Sequence, residues 1–168
     1  MPDLRAAQRV HLVGIGGSGM SALASLLLQM GKQVSGSDEQ PSATTQRLAA
    51  LGATVFGGHH PRHIAGADYL VRSSAVATDN AELHAASANG VTVRKLAEAV
   101  AELMQERSTV AVAGTHGKTT TTSLVTCFLE AGGIDPLALI GADTARFPLG
   151  ARAGEGPVVI EADEYDRR

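Results

Sequence analysis

Short β-branched apolar runs alternate with helical runs along most of this chain. Arg9 to Val13 reads as a buried strand, Met20 to Met30 as an apolar helix closed by Gly31, and Gln33 to Ser37 as a second strand ending at Asp38. Ser42 to Leu51 has helical character, with Pro41 before it and Gly52 as its stop. Thr54 to Phe56 is a third strand, Gly57 to His63 a loop, and Tyr69 to Arg72 a fourth strand. Asp79 and Glu82 have the spacing of a capping box for a helix that runs to Asn89 and stops at Gly90. Val91 to Val93 is a fifth strand, and Lys95 to Arg107 is amphipathic, with Leu96, Val100, Leu103 and Met104 on one face. Such alternation predicts an α/β fold with a parallel sheet.

A second unit begins near Arg107-Ser108. Thr109 to Val112 is a strand, Ser123 to Ala131 a helix, and Gly132 to Pro136 a turn. Leu137 to Ile140 is a short strand, Gly141 to Gly156 a loop, and Pro157 to Ile160 a buried strand. The expected organisation is therefore 1–107 and 108–168. Three strands and one clear helix make the second unit less than a complete nucleotide-hydrolysing domain.

Each unit opens on a glycine turn between a strand and a helix. Gly14-Ile15-Gly16-Gly17-Ser18-Gly19, with Asp38 after the next strand, is a G-x-G-x-x-G fingerprint in its βαβ context. Glycines there permit a tight turn and close approach of a diphosphate to a helix N-terminus. The chemistry specified is diphosphate plus ribose, which NAD, FAD and a UDP-sugar all present. Ala113 to Thr122 carries Gly114-Thr115-His116-Gly117-Lys118-Thr119, a shorter form of the phosphate loop, since Val112 stands where the general pattern has its first glycine. In such a loop backbone N–H groups surround phosphate oxygens, Lys118 reaches the β- and γ-phosphates, and the Thr119 hydroxyl ligates Mg²⁺. Glu161, at the end of a hydrophobic strand and followed by Asp163, Glu164 and Asp166, suits the second anchor of that ion.

Other candidates are weaker. His59-His60-Pro61-Arg62-His63 has no carboxylate or cysteine near it in sequence, so it reads as a loop in which one histidine touches a ligand rather than as a metal site. Ser73-Ser74-Ala75 follows a strand at the end where open α/β sheets bind ligands. Cys127, alone among Leu124, Phe128 and Leu129, reads as a buried, inert thiol. Composition narrows the class further. With 44% hydrophobic residues but 3% aromatic, the core must be built from Ala, Val, Leu and Ile. A formal charge of −3 without a basic run argues against nucleic-acid binding, and no apolar run reaches membrane-spanning length. A single cysteine fits a reducing cytoplasm.

His11 to Ser21, Ser35-Gly36-Ser37-Asp38, Gly58-His59, Ser73-Ser74-Ala75, Ala113 to Thr122 and Glu161-Ala162-Asp163-Glu164, taken in order, resemble the UDP-N-acetylmuramate–L-alanine ligases, the MurC branch of the Mur ligases. That family has a Rossmann-like UDP-substrate domain, a central ATPase and a C-terminal amino-acid domain. The resemblance implies that this chain holds the first, the beginning of the second and none of the third. It implies that Gly16, Gly17, Ser18 and Gly19 hold the UDP diphosphate, that Asp38 sits near the ribose or uracil, and that His59, Ser73 and Ser74 touch the substrate. It places Gly114, Thr115, His116, Gly117, Lys118, Thr119 and Thr120 around ATP. Lys118 and His116 would then lie at the transferred phosphate, and Thr119 and Glu161 on Mg²⁺. The implied reaction phosphorylates the muramyl carboxylate with ATP, after which the amine of L-alanine expels phosphate. A chain of this extent is expected to bind and not to ligate, and its open sheet edge leaves homodimer formation open.

Two positions depart from the family pattern. Tyr165 replaces a common serine and is shared with the ligase that recycles murein tripeptide, whose first glycine loop differs from the one here. Lys95-Leu96 stands where relatives carry an Arg-Arg pair, so no substrate contact is expected there. An NAD(P)-linked oxidoreductase and a non-catalytic nucleotide-binding module are the readings from other classes; the phosphate loop and Glu161 argue against the first.

Overall fold

Strand β1 (Arg9–Val13) is the axis of the first unit, flanked on both sides by parallel neighbours. In this computed structural model, which describes residues 3–162, it is followed by α1 (Ser18–Gln29), β2 (Gln33–Asp38), α2 (Ala43–Ala50), β3 (Thr54–Gly57), β4 (Tyr69–Arg72), α3 (Ala81–Ala88), β5 (Thr92–Lys95) and α4 (Leu96–Met104). The sheet order is β3-β2-β1-β4-β5, with every pairing parallel. Its register sets Val13 beside Ser37 on one side and Arg72 on the other. The glycine turn, Asp38 and Ser73 therefore emerge together, where the strand order reverses, as in other doubly wound sheets. Asp163, Glu164, Tyr165 and Asp166 of the expected acidic segment lie outside the described residues.

The second unit comprises β6 (Thr109–Val112), α5 (Lys118–Ala131), β7 (Leu137–Leu139), β8 (Ala151–Arg152) and β9 (Val158–Glu161). Its order is β6-β9-β7-β8, parallel except for β8, which runs antiparallel to β7. The two units share a core. Leu23, Leu26 and Leu27 of α1 cluster with Leu137, Leu139, Leu149 and Val158 of the second unit. This explains why every residue from Met20 to Leu27 is buried: α1 has the first sheet on one side and the second unit on the other. Polar contacts reinforce the seam. Gln29 Nε2 donates to the Ala151 carbonyl at 3.2 Å while its Oε1 accepts from Ala153 N at 2.9 Å. The Arg107 guanidinium donates to the Gly154 carbonyl at 2.7 Å, and Arg47 forms a two-pronged ion pair with Asp143.

Several sequence expectations need correction. The α3 cap is Asn80, whose side chain accepts from Glu82 N at 2.8 Å, and not Asp79; the Glu82 side chain turns into the protein instead of back to the helix start. The helix expected over 95–107 spans only Leu96–Met104: Lys95 pairs with Arg72 as the last residue of β5, and past the C-terminal end Glu106 adopts a left-handed φ of 62°. The stretch 141–156 is not all loop: β8 forms in it because β7 offers an antiparallel partner. Cys127 is only half-buried, and its neighbours Leu124 and Phe128 are 51% and 72% exposed.

Candidate functional site

The first glycine turn is held from both sides. Gly14 N and Ile15 N both donate to the Ser37 carbonyl, at 2.8 and 3.1 Å, and Gly16 N donates to Asp38 Oδ2 at 2.8 Å. A Cβ on Gly16 would lie 2.8 Å from that carboxylate, and one on Gly14, whose φ is +82°, would crowd Ser73. Glycine is needed at both for close packing. Gly17 caps α1 without a side-chain hydrogen bond, so the N–H groups of the first turn point outward, as at anion-binding helix starts. Asp38 also accepts from Gln40 N at 3.2 Å, so its carboxylate braces the turn as well as facing the cleft.

Two openings meet at this turn. A cleft of about 580 Å³ is lined by Gly14, Gly17, Asp38, Glu39, His59 and Ser73. A second of about 190 Å³ is lined by Gly17, Ser18, Gly19, Ser73, Ser74 and Lys95. The expected residues Gly17, Ser18, Gly19, Asp38, His59, Ser73 and Ser74 thus converge, and Lys95 joins them although no contact was expected of it. The signal that could have found Lys95 is the fold: β5 lies beside β4, so its last residue comes out beside Ser73.

Behind the cleft lies a group that motif reading does not anticipate. Glu82, fully buried, accepts from Ser37 Oγ, from His60 N at 3.2 Å and from His63 Nδ1 at 2.7 Å. His59 Nδ1 stands 3.3 Å away, and His11 Nε2 is a looser electrostatic neighbour at 3.5 Å. The His-His-x-x-His loop therefore has a carboxylate close by in space, though none in sequence. Burial alone would raise the Glu82 carboxyl, but hydrogen bonding to His11, Ser37, the His60 amide and His63 outweighs it and holds the group down at about 2. His63 is stacked on Phe56 at a centroid distance of 4.2 Å, which fixes the loop to β3.

The second glycine turn opens α5. Gly117, with φ of +77°, is its N-cap, and Lys118 Nζ reaches back to the Gly114 carbonyl at 3.0 Å. Gly114, Thr115, His116, Gly117 and Thr120 are exposed around the helix start. Thr119 Oγ1 donates to Glu161 Oε2 at 3.0 Å, and Gly141 N donates to the same oxygen at 2.8 Å. A hydroxyl and a carboxylate in contact at a helix N-terminus are oxygen donors suited to a hard cation that keeps most of its waters. A further opening lies between the two units. A largely apolar cavity of about 220 Å³ there is lined by Ser18 and Gly19 of the first unit and by Gly141 and Glu161 of the second, with Ala22, Leu96 and Ile160 among its walls.

A family profile described as "Mur ligase family, catalytic domain" matches residues 9–108. The chain belongs to the Mur ligase family. It is similar to the UDP-N-acetylmuramate–L-alanine ligase of Bordetella petrii, at 53% identity over 95% of this chain and 34% of that protein. It is equally similar to the ligase of the same name from Symbiobacterium thermophilum, at 53% identity over 96% of this chain and 34% of that one. Among solved structures, the UDP-N-acetylmuramate–alanine ligase of Thermotoga maritima superposes with a TM-score of 0.82 at 31% identity, covering 91% of this chain and 36% of that chain. The UDP-N-acetylmuramate:L-alanyl-γ-D-glutamyl-meso-diaminopimelate ligase of Neisseria meningitides also gives 0.82 at 31% identity, covering 96% and 54%. This Mur ligase chain spans about a third of the length of the curated relatives it matches. Among its described residues no helix is long and apolar enough to cross a membrane.

Proposed function

We propose that this chain carries the UDP-sugar site and the ATP phosphate loop of a UDP-N-acetylmuramate–L-alanine ligase. Residues 1–107 form the nucleotide-sugar unit and 108–168 begin the ATP unit. The observation that carries this reading is the cavity joining the α1 N-terminus to Glu161. A ligand whose diphosphate rests on Gly17, Ser18 and Gly19 can extend its acid-bearing sugar into that cavity toward Glu161, which accepts a hydrogen bond from Thr119 of the phosphate loop. Such a path suits a UDP-linked carboxylic acid and has no purpose for a nicotinamide cofactor.

In this reading the α1 N–H groups and Lys95 neutralise the diphosphate, and Ser73 and Ser74 supply hydroxyl contacts. Asp38 and His59 face the nucleoside. Lys118 offers its charge to the γ-phosphate as the muramyl carboxylate attacks, with His116 beside it. This is electrostatic work on a transferring phosphoryl group, not covalent catalysis by the protein. Thr119 and Glu161 would hold Mg²⁺, which when bound screens the phosphate oxygens. The names of both ligase types above begin with UDP-N-acetylmuramate, which supports that nucleotide-sugar over the choice of amine. L-Alanine as the amine is favoured by the curated relatives.

Calorimetric titration of the chain with UDP-N-acetylmuramate, with NAD and with Mg·ADP tests this reading. Saturable binding of the UDP compound and of Mg·ADP is expected. Binding of NAD without a response to the UDP compound overturns it.

A further inference from the structure

His59 stands between a buried carboxylate and an exposed one. Its Nδ1 is 2.9 Å from Ser37 Oγ and 3.3 Å from Glu82 Oε2. Ser37 spends its own proton on Glu82, so its oxygen meets His59 with a lone pair. Both neighbours of Nδ1 are therefore acceptors, and the ring nitrogen facing them carries the proton. The other nitrogen, Nε2, turns toward the cleft, where Glu39 Oε1, on an exposed side chain, is 4.0 Å away.

Glu82 is well placed to impose this state. One of its oxygens is taken by His60 N and His63 Nδ1, the other by Ser37, with His11 Nε2 nearby, so the carboxylate cannot swing away. Asp38, the acceptor the fingerprint would offer a ribose, already takes the N–H groups of Gly16 and Gln40. Each Asp38 oxygen keeps a lone pair, and His59 Nε2 adds a second acceptor near the ends of β2 and β3.

We infer that Glu82 is a positioning residue: by facing Nδ1 directly and by orienting the Ser37 hydroxyl, it locks His59 with Nδ1 protonated, so that Nε2 accepts a hydrogen bond from a hydroxyl or imide N–H of the bound nucleoside. The nucleoside part rests on the reading of the cleft proposed above. Sequence comparison of the loop alone would assign His59 a contact but not its hydrogen-bonding sense. The buried carboxylate supplies that sense.

Long-range ¹H–¹⁵N spectra of the labelled chain test the tautomer without any ligand. His59 should show a protonated Nδ1 and a bare Nε2. His60, whose Nδ1 accepts from Arg62 N at 3.1 Å, should show the opposite and serves as the internal reference. In Glu82→Gln the His59 tautomer should become mixed or reverse, and affinity for UDP-N-acetylmuramate should fall about tenfold, the effect of one hydrogen bond. The same change made in a His59→Ala background should cost no further affinity, which a merely structural role for Glu82 would not predict. Ser37→Ala should retain the tautomer, because Nδ1 can bond Glu82 directly. A wild-type His59 protonated on Nε2 overturns the inference even if the glutamine variant fails to fold. So does an unchanged tautomer in Glu82→Gln, or losses that simply add in the double variant. If the wild type ignores UDP-N-acetylmuramate but shows the expected tautomer, the nucleotide-sugar reading fails while the positioning role of Glu82 stands.

Discussion

Thr119 and Glu161, 42 residues apart in sequence, share a hydrogen bond of 3.0 Å that ties the first turn of α5 to the end of β9. The same carboxylate oxygen accepts from Gly141 N at 2.8 Å, so the exit of β7 is drawn into the knot. A Cβ at Gly141 would meet the Glu161 carboxylate, so the close approach depends on glycine. Three chain segments thus converge on one carboxylate that lines the cavity between the units.

Thr119→Ala and Glu161→Gln should each weaken Mg·ADP binding, by about 1–3 kcal/mol, through loss of an oxygen partner in a charged contact. UDP-N-acetylmuramate binding should hold to within a factor of two or so, since additivity is expected for separated sites. Calorimetry on both ligands checks this, and equal losses for the two would show that the sites are not separable.

Lys118 and Lys95 make a reciprocal pair of tests. Lys118→Ala should impair Mg·ADP binding and spare the UDP compound. Lys95→Ala should do the reverse, with a loss that shrinks as salt is raised because the contact is partly exposed and Coulombic. Binding isotherms at low and high salt measure both. A Lys95→Ala variant with unchanged UDP-compound affinity at low salt would remove that residue from the site.

The architecture was legible because its signals are local. A strand, a glycine turn and a helix occur twice in contiguous sequence, and the alternation of elements calls for a parallel sheet. Glu82 was not legible, because its partners come from β1, β2 and the loop after β3, and its spacing from Asp79 imitates a cap. Lys95 was passed over because Lys95-Leu96 stands in place of an Arg-Arg pair, and because the helical periodicity begins one residue early and takes in the last residue of β5. Strand β8 exists only through its pairing with β7, so nothing in Ala151-Arg152 itself announces it.

Glu82 should also leave a mark on acid stability. Its carboxyl is held at about 2 in the folded protein against an ordinary value of 4.5. A depressed folded-state value contributes stability that is fully present above the unfolded value and is lost as pH falls from there toward the folded one. The loss should be on the order of 3 kcal/mol between about pH 4.5 and 2. Denaturant unfolding across that range should show a steeper decline for the wild type than for Glu82→Gln, which has no carboxylate to titrate there. Parallel pH profiles would contradict the assignment.

The edge strand β6 should govern self-association. It pairs with β9 on one side, and among the described residues its other side has no strand beside it. Its residues Thr109, Val110 and Ala111 are exposed, Val110 to 41%. An open edge with apolar side chains is a template for another strand, most directly the same strand of a second copy. The apolar patch of Leu124 and Phe128 on α5 offers a rival explanation for any association, so the two must be tested separately. Val110→Lys places a charge on the edge and should shift sedimentation from concentration-dependent dimer toward monomer. Phe128→Ser should leave edge pairing intact. Both should retain UDP-N-acetylmuramate affinity, because neither position borders the first glycine turn. Loss of the dimer in Phe128→Ser but not in Val110→Lys would move the contact to the helix face, and a wild-type chain that stays monomeric at every soluble concentration would dispose of the edge-pairing argument altogether.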